Sequence, residues 1–169
     1  MATEPLTTDE ELLLALLNST PMVDGSPQDQ LDSTGAVLNR LGRFGADGSP
    51  RERTELLRAR TVLQDAVSGR LDMDEIVPSL HGVRRTPFLA EGRLDWRLET
   101  PAHHELAVRA VLAWAELTEH RPGRLRPCEN DECRLFLLDR SKANSARWCS
   151  MASCGNRLKA RRHQQRLRR

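Results

Sequence analysis

Four cysteines, Cys128, Cys133, Cys149 and Cys154, are all that this chain contains, and they form two pairs of equal spacing: C-x4-C, fifteen residues, then C-x4-C. Nothing else in the sequence restricts the fold as much. Four thiolates drawn to one point suit a tetrahedral soft-ligand cation, and zinc, Zn2+, is the usual occupant. Two disulfides are the competing reading. They belong to secreted proteins, whereas Met1 to Glu11 is acidic and has no basic stretch ahead of an apolar one, as a secretory leader would. A cytoplasmic chain keeps its thiols reduced, which favours the metal. Four cysteines also fill the tetrahedron and leave no position for water, so a binding protein is expected and not an enzyme.

The net charge of +2 conceals a division. Residues 1–120 carry 12 Lys and Arg against 20 Asp and Glu, a net of −8, while residues 121–169 carry 14 against 4, a net of +10. From Arg140 onward there are ten basic residues and no acidic one. Such a block repels itself unless a polyanion or an acidic surface accepts it. Directly behind a metal knot it is expected to meet nucleic acid, and a solubilising tail is the blander reading. No run of 18 apolar residues occurs, so no membrane span is expected and a cytoplasmic, nucleoid-associated location fits.

Arg121-Pro122-Gly123 is a strong break, dividing a helical domain over 1–120 from a small metal module over 121–169. Thr8-x-x-Glu11 reads as a capping box, followed by a stripe of Leu12, Leu13, Leu16 and Leu17. Ser26-Pro27 reads as the cap and first residue of a second helix with Leu31, Val37, Leu38 and Leu41, closing at Gly42 and Gly45. Ser49-Pro50 opens a third, with Glu52 reaching back, Leu56, Leu57, Val62, Leu63 and Val67 as its apolar residues, and a stop at Gly69. A short helix is expected from Asp72 or Asp74 to Leu80. Two short runs joined by Glu91-Gly92 predict a hairpin near 86–98, with Trp96 packing it onto the helices. A long helix then starts at Ala102.

Leu13, Leu17, Leu57, Leu63, Leu112 and Trp114 are the expected core of this half. It holds no His-Glu-x-x-His pair, no phosphate loop and no G-x-S-x-G elbow. It therefore reads as a scaffold, and its helices are the candidate surface for a homodimer, which would enlarge the small DNA footprint of a single finger. Polar groups converging on a small effector are not visible in it.

Beyond the break, Leu125, Cys128 and Cys133 suggest a strand, a knuckle and a returning strand covered by Leu135, Phe136, Leu137 and Leu138. Ser141 to Ala146 is a polar loop. Trp148 is placed to shield one side of the metal, and Cys149 and Cys154 fit a second knuckle or the first turn of a final helix. That helix carries Arg157, Lys159, Arg161, Arg162, Arg166 and Arg168 with Gln164 among them. Arg157, Arg161, Gln164 and Arg168 share one face. Arg and Gln read base edges and contact phosphates, and with no aromatic platform in the helix, duplex DNA is expected over RNA. Arg147, ahead of the third cysteine, joins this candidate set. The alternative role for Arg157 is an ion pair with Asp139 that braces the module.

Arg147-Trp148-Cys149-Ser150-Met151, then Cys154-Gly155-Asn156-Arg157 and Lys159, resemble the signature of the CGNR zinc-finger proteins of bacteria. The likeness extends back through Cys128, Cys133, Phe136, Asp139 and Ser141. The helical half is similar in order, length and its Leu-Leu-x-x-Leu-Leu-Asn18 opening to the ABATE domain that accompanies this finger in stress-induced transcription regulators. The resemblance implies zinc on all four cysteines and DNA on the basic helix. The fold expected is mostly α with a small β-hairpin: a helical ABATE-like N-terminal domain and a C-terminal treble-clef-like zinc finger.

Overall fold

The computed structural model describes residues 6–157 and 159. Helix α1 is Thr8–Leu17, capped by Thr7. The Thr7 hydroxyl accepts from the Glu10 N–H at 3.2 Å, and the Glu10 carboxylate accepts from the Thr7 N–H at 2.9 Å. The capping box thus lies one residue before the expected Thr8 and Glu11. Both registers satisfy the spacing, but the earlier one also places the buried Glu10 against Arg121, at the end of the fourth helix. Leu12, Leu13, Leu16 and Leu17 are fully buried, as their stripe predicts. Each stabilises the fold by about 2 kcal/mol.

Ser26-Pro27 does not open a helix. Strand β1, Met22–Val23, pairs with β2, Ser26–Pro27, through Asp24-Gly25. The φ angles of 49° and 79° at these two residues fit the Asp-Gly turn of a two-residue hairpin. That upstream turn signal outweighs the Ser-Pro dipeptide, because proline is equally at home in an edge strand. Helix α2 starts eight residues later, at Thr34–Leu41, where the Ser33 hydroxyl accepts from the Ala36 N–H. Leu31 is buried ahead of it and Leu38 is exposed. A 3-10 turn, Gly42–Phe44, closes at Gly45 with φ of 100°.

Helix α3, Pro50–Val67, has the expected Ser49 cap. Glu52 reaches back one residue further than a capping box would, accepting from the Gly48 N–H at 2.8 Å. The short helix expected before Leu80 is a pair of 3-10 turns, Met73–Glu75 and Val77–Leu80. Pro78 supplies no N–H there, which disfavours an α-helical register. Helix α4, Ala102–His120, is the central element and packs on both α1 and α3. Leu56, Leu63, Leu106, Val111 and Leu117 join the α1 leucines between them. Leu57 and Leu112, two of the expected core residues, are only half-buried.

Strands β3, Arg84–Ala90, and β4, Arg93–Glu99, form the expected hairpin, with φ of 50° and 75° at Glu91 and Gly92. Trp96 does not pack it onto the helices. Its register places Pro87 opposite Trp96 and Leu89 opposite Leu94 on one face, and Leu89, Leu94 and Trp96 are 78%, 63% and 54% exposed. Two short runs and a turn dipeptide identify a hairpin, but they do not reveal whether anything covers its apolar side.

After α4 the chain enters β5, Leu125–Pro127, paired antiparallel with β6, Phe136–Leu138. This pair packs onto the helical half. Phe136 belongs to the helical core, with Leu125 and Leu138 against it. At the end of α1, the Asn18 side chain clasps Phe136: its Oδ1 accepts from the Phe136 N–H at 2.7 Å, and its Nδ2 donates to the Phe136 carbonyl at 3.1 Å. Among the described residues, no helix is long and apolar enough to cross a membrane.

Candidate metal centre

Each cysteine reaches the centre from a different local structure. Cys128 follows β5 directly, and Cys133 closes a tight turn in which its N–H donates to the Asn130 carbonyl at 2.7 Å. Cys149 follows the polar loop after β6. Cys154 lies on a π-helical turn, Met151–Gly155, whose cap is the Ser150 hydroxyl. Residues 156, 157 and 159 continue as α-helix. The paired spacing therefore joins a strand-turn-strand knuckle to the turn that leads into the last described helical residues.

The four Sγ atoms lie within 4.8 Å of one another. Cys149 Sγ stands 3.7 Å from both Cys133 Sγ and Cys154 Sγ. Sulfurs about 2.3 Å from one tetrahedral zinc are about 3.8 Å apart, so the observed spacing is that of a Zn2+ tetrathiolate. All four cysteines are free thiols. Cys128 and Cys154 are buried, and the other two are half-buried.

Electrostatics point the same way. Burial, reinforced by the adjacent sulfurs, pushes the Cys149 thiol far above its ordinary value. Burial also pushes the Cys133 thiol up to about 11. Cys154 runs against its own burial, because the Asn130 amide and the neighbouring thiols hold it below the ordinary value. Four thiolates in so small a space repel one another, and a divalent cation is what makes them stable together. The site fits zinc in number, donor type and spacing.

N–H donors surround the sulfurs. The Leu135 and Cys149 backbone N–H groups each lie 3.4 Å from a sulfur, that of Cys133 and Cys128 respectively. Asn130, only 1% exposed, donates its side-chain amide to Cys154 Sγ at 3.4 Å. Such bonds disperse thiolate charge and fix ligand orientation. Asn130 was not anticipated. Its only sequence signal is a turn-forming Asn inside the first C-x4-C.

The arginine that braces the finger is Arg126, not the Arg157 of the alternative reading. Asp139, its side chain fully buried, accepts from the Ser141 N–H at 2.8 Å, the Ala146 N–H at 2.7 Å and Arg126 Nη2 at 2.6 Å. Burial alone would raise this carboxyl, but the Ser141 and Ala146 bonds and the Arg126 guanidinium together hold it below the usual carboxylate range. Arg157 has no bond to Asp139. It is 58% exposed and lies 4.0 Å from Glu132.

Arg147 is half-exposed, pairs with Glu129, and lies over the Trp148 ring at 5.5 Å from its centroid. Lys159 is exposed. Arg161, Arg162, Gln164, Arg166 and Arg168 lie outside the described residues.

Residues 124–167 match the family model of the CGNR zinc finger. The matched segment takes in β5, β6, all four cysteines and the start of the final helix, and it begins after the helical half. No curated protein matches the chain. The C-terminal segment is a zinc-binding module of the CGNR type.

Proposed function

We propose that this chain is a zinc-dependent DNA-binding protein, a bacterial transcription regulator whose basic C-terminal helix contacts duplex DNA. One observation carries the reading: the last zinc ligand, Cys154, sits in the turn that opens a helix, and Arg157 and Lys159 are exposed on that helix as the basic run begins. A ligand in the first turn anchors the helix, so its cations are presented from a fixed base. Knuckle, strand pair and ligand-bearing helical turn, in that order, favour a treble-clef-like arrangement of the finger. With all four positions of the metal taken by sulfur, the zinc is structural on this reading and the protein is not an enzyme.

The test compares zinc-loaded protein on duplex fragments from its own promoter region, on random duplex and on RNA. Replacing Arg161 and Arg162 with Ala should weaken duplex binding and shallow its salt slope by about two units, as expected for two lost phosphate contacts. A double variant with parental affinity and slope would remove the helix as the binding surface.

A second reading, a protein-interaction module, is favoured by the uncovered face of the β3–β4 hairpin. A two-stranded ribbon with one bare apolar face is marginal by itself. On this reading a second copy of the chain covers it, which relocates the homodimer contact from the helices to the hairpin. Sedimentation of the parent and of Trp96→Glu decides it, since a monomeric parent excludes the contact.

A further inference from the structure

Where α4 ends and β6 leaves the sheet, the chain encloses an open recess of about 440 Å³. His120, Arg121, Arg124, Arg140 and Lys142 line it, and Asp139 is its one acidic residue. The Asp139 carboxylate is fully buried and already matched by Arg126 and two backbone N–H groups. Arg121 is neutralised by Glu10. Arg124 is held differently: its Nη1 donates to the carbonyls of Asp139 at 3.1 Å and Ser141 at 2.6 Å. Those bonds immobilise the guanidinium without cancelling its charge. Among the described residues, neither Arg124 nor Lys142 has a carboxylate at ion-pair distance.

We infer that this recess is a phosphate-binding site, formed jointly by the end of the helical half and the loop after β6. Three features support it together. Asp139 is matched by Arg126 and Arg121 by Glu10, which leaves Arg124 and Lys142 as cations without a carboxylate among the described residues. The loop carrying Ser141 and Lys142 is ordered in advance by the Asp139 bonds, so little is lost in fixing it on a ligand. The wall is concave, which concentrates the field of its charges. The α4 C-terminus opposes an anion with about half a charge, less than Arg124 and Lys142 supply. An anchored Arg fork beside a mobile Lys point charge is a common pairing for phosphate oxygens.

The phosphate can belong to a nucleic-acid backbone or to a free phosphorylated molecule. The first source deepens the DNA-binding reading and rests on it. The recess itself does not, because it shares no residue with the final helix.

The experiment uses full-length zinc-loaded protein, a labelled random duplex, and pyrophosphate followed by amide and side-chain NMR shifts. Arg124→Ala with Lys142→Ala is expected to weaken duplex binding about tenfold and to shallow the salt slope by about two units, at unchanged zinc content. Lys142→Ala alone should shallow it by about one unit, and it serves where the double variant does not fold. Pyrophosphate shifts at Arg124 that vanish in Lys142→Ala, with duplex binding unaffected or absent in the parent, assign the site to a free phosphorylated ligand. In that outcome the recess stands, and an absence of parental duplex binding refutes the DNA reading alone. Unchanged duplex affinity and slope together with no pyrophosphate response overturns the recess, even if Arg161→Ala with Arg162→Ala still abolishes DNA binding.

Discussion

Replacing Asn18 with Ala removes a side chain that ties the end of α1 to the zinc finger by two hydrogen bonds. Its partners are the backbone N–H and carbonyl of Phe136, a residue only 7% exposed. Each lost bond costs about 1 kcal/mol, and stranding buried partners adds about 1 kcal/mol or more. The total expected is about 3 kcal/mol. With a urea m-value of about 2 kcal/mol/M, the midpoint of the zinc-loaded protein should fall by about 1.5 M. Trp114 reports the helical core and Trp148 the finger, so far-UV circular dichroism and tryptophan fluorescence together follow both halves. The parent should unfold in one coincident transition. In Asn18→Ala the two signals should separate, with zinc content unchanged because the ligands are untouched. A loss below about 0.5 kcal/mol, the level of an ordinary surface substitution, would refute the clasp as a structural tie.

Metal analysis should find one zinc per chain, and Cys154→Ser should lose it; a protein lacking metal, or one lighter by two protons per cysteine pair, would disprove the tetrathiolate. Because Phe136 is shared with the helical core, zinc removal should also lower the melting temperature of the helices rather than unfold the finger alone. Asp139→Asn weakens a buried ion pair and its loop contacts, with an expected cost of about 3 kcal/mol near neutral pH. Its folded-state carboxyl lies below the ordinary value, so its contribution is complete above the unfolded pKa of about 3.9 and is lost as pH falls through the lower folded value. Urea midpoints of parent and variant should therefore converge only below about pH 4, and convergence already near neutrality would contradict the assignment.

Features set by neighbouring residues were legible in the sequence. The paired cysteines, the Ser49-Pro50 helix start and the Glu91-Gly92 turn each depend on a few consecutive residues, and the structure bears them out. The Ser26-Pro27 helix failed because two local signals competed and the Asp24-Gly25 turn prevailed. Features set by distant partners were not legible. Asn18 and Phe136 are 118 positions apart, and no periodicity links them. Arg126 rather than Arg157 meets Asp139 because β5 and β6 pair in the register that brings Leu125 opposite Leu138. Trp96 shows the same limit from the other side: the local sequence places it in a strand and says nothing of what covers it.

A segment as small as the finger has too little apolar side chain for an independent core; among its described residues, Phe136 and Leu137 are the only buried apolar side chains alongside Cys128 and Cys154. Zinc provides part of the missing stability. The rest comes from Phe136 entering the helical core and from the Asn18 clasp, and this sharing fixes how the two halves are oriented. Such a fixed orientation has an electrostatic consequence, because residues 1–120 carry a net −8 and residues 121–169 a net +10. On the DNA-binding reading, a duplex drawn to the basic module is repelled by the half to which that module is attached. On that reading the acidic half would limit the pose without touching the DNA. A flexibly tethered finger would gain no such restriction, so on that reading the clasp would serve recognition as well as stability.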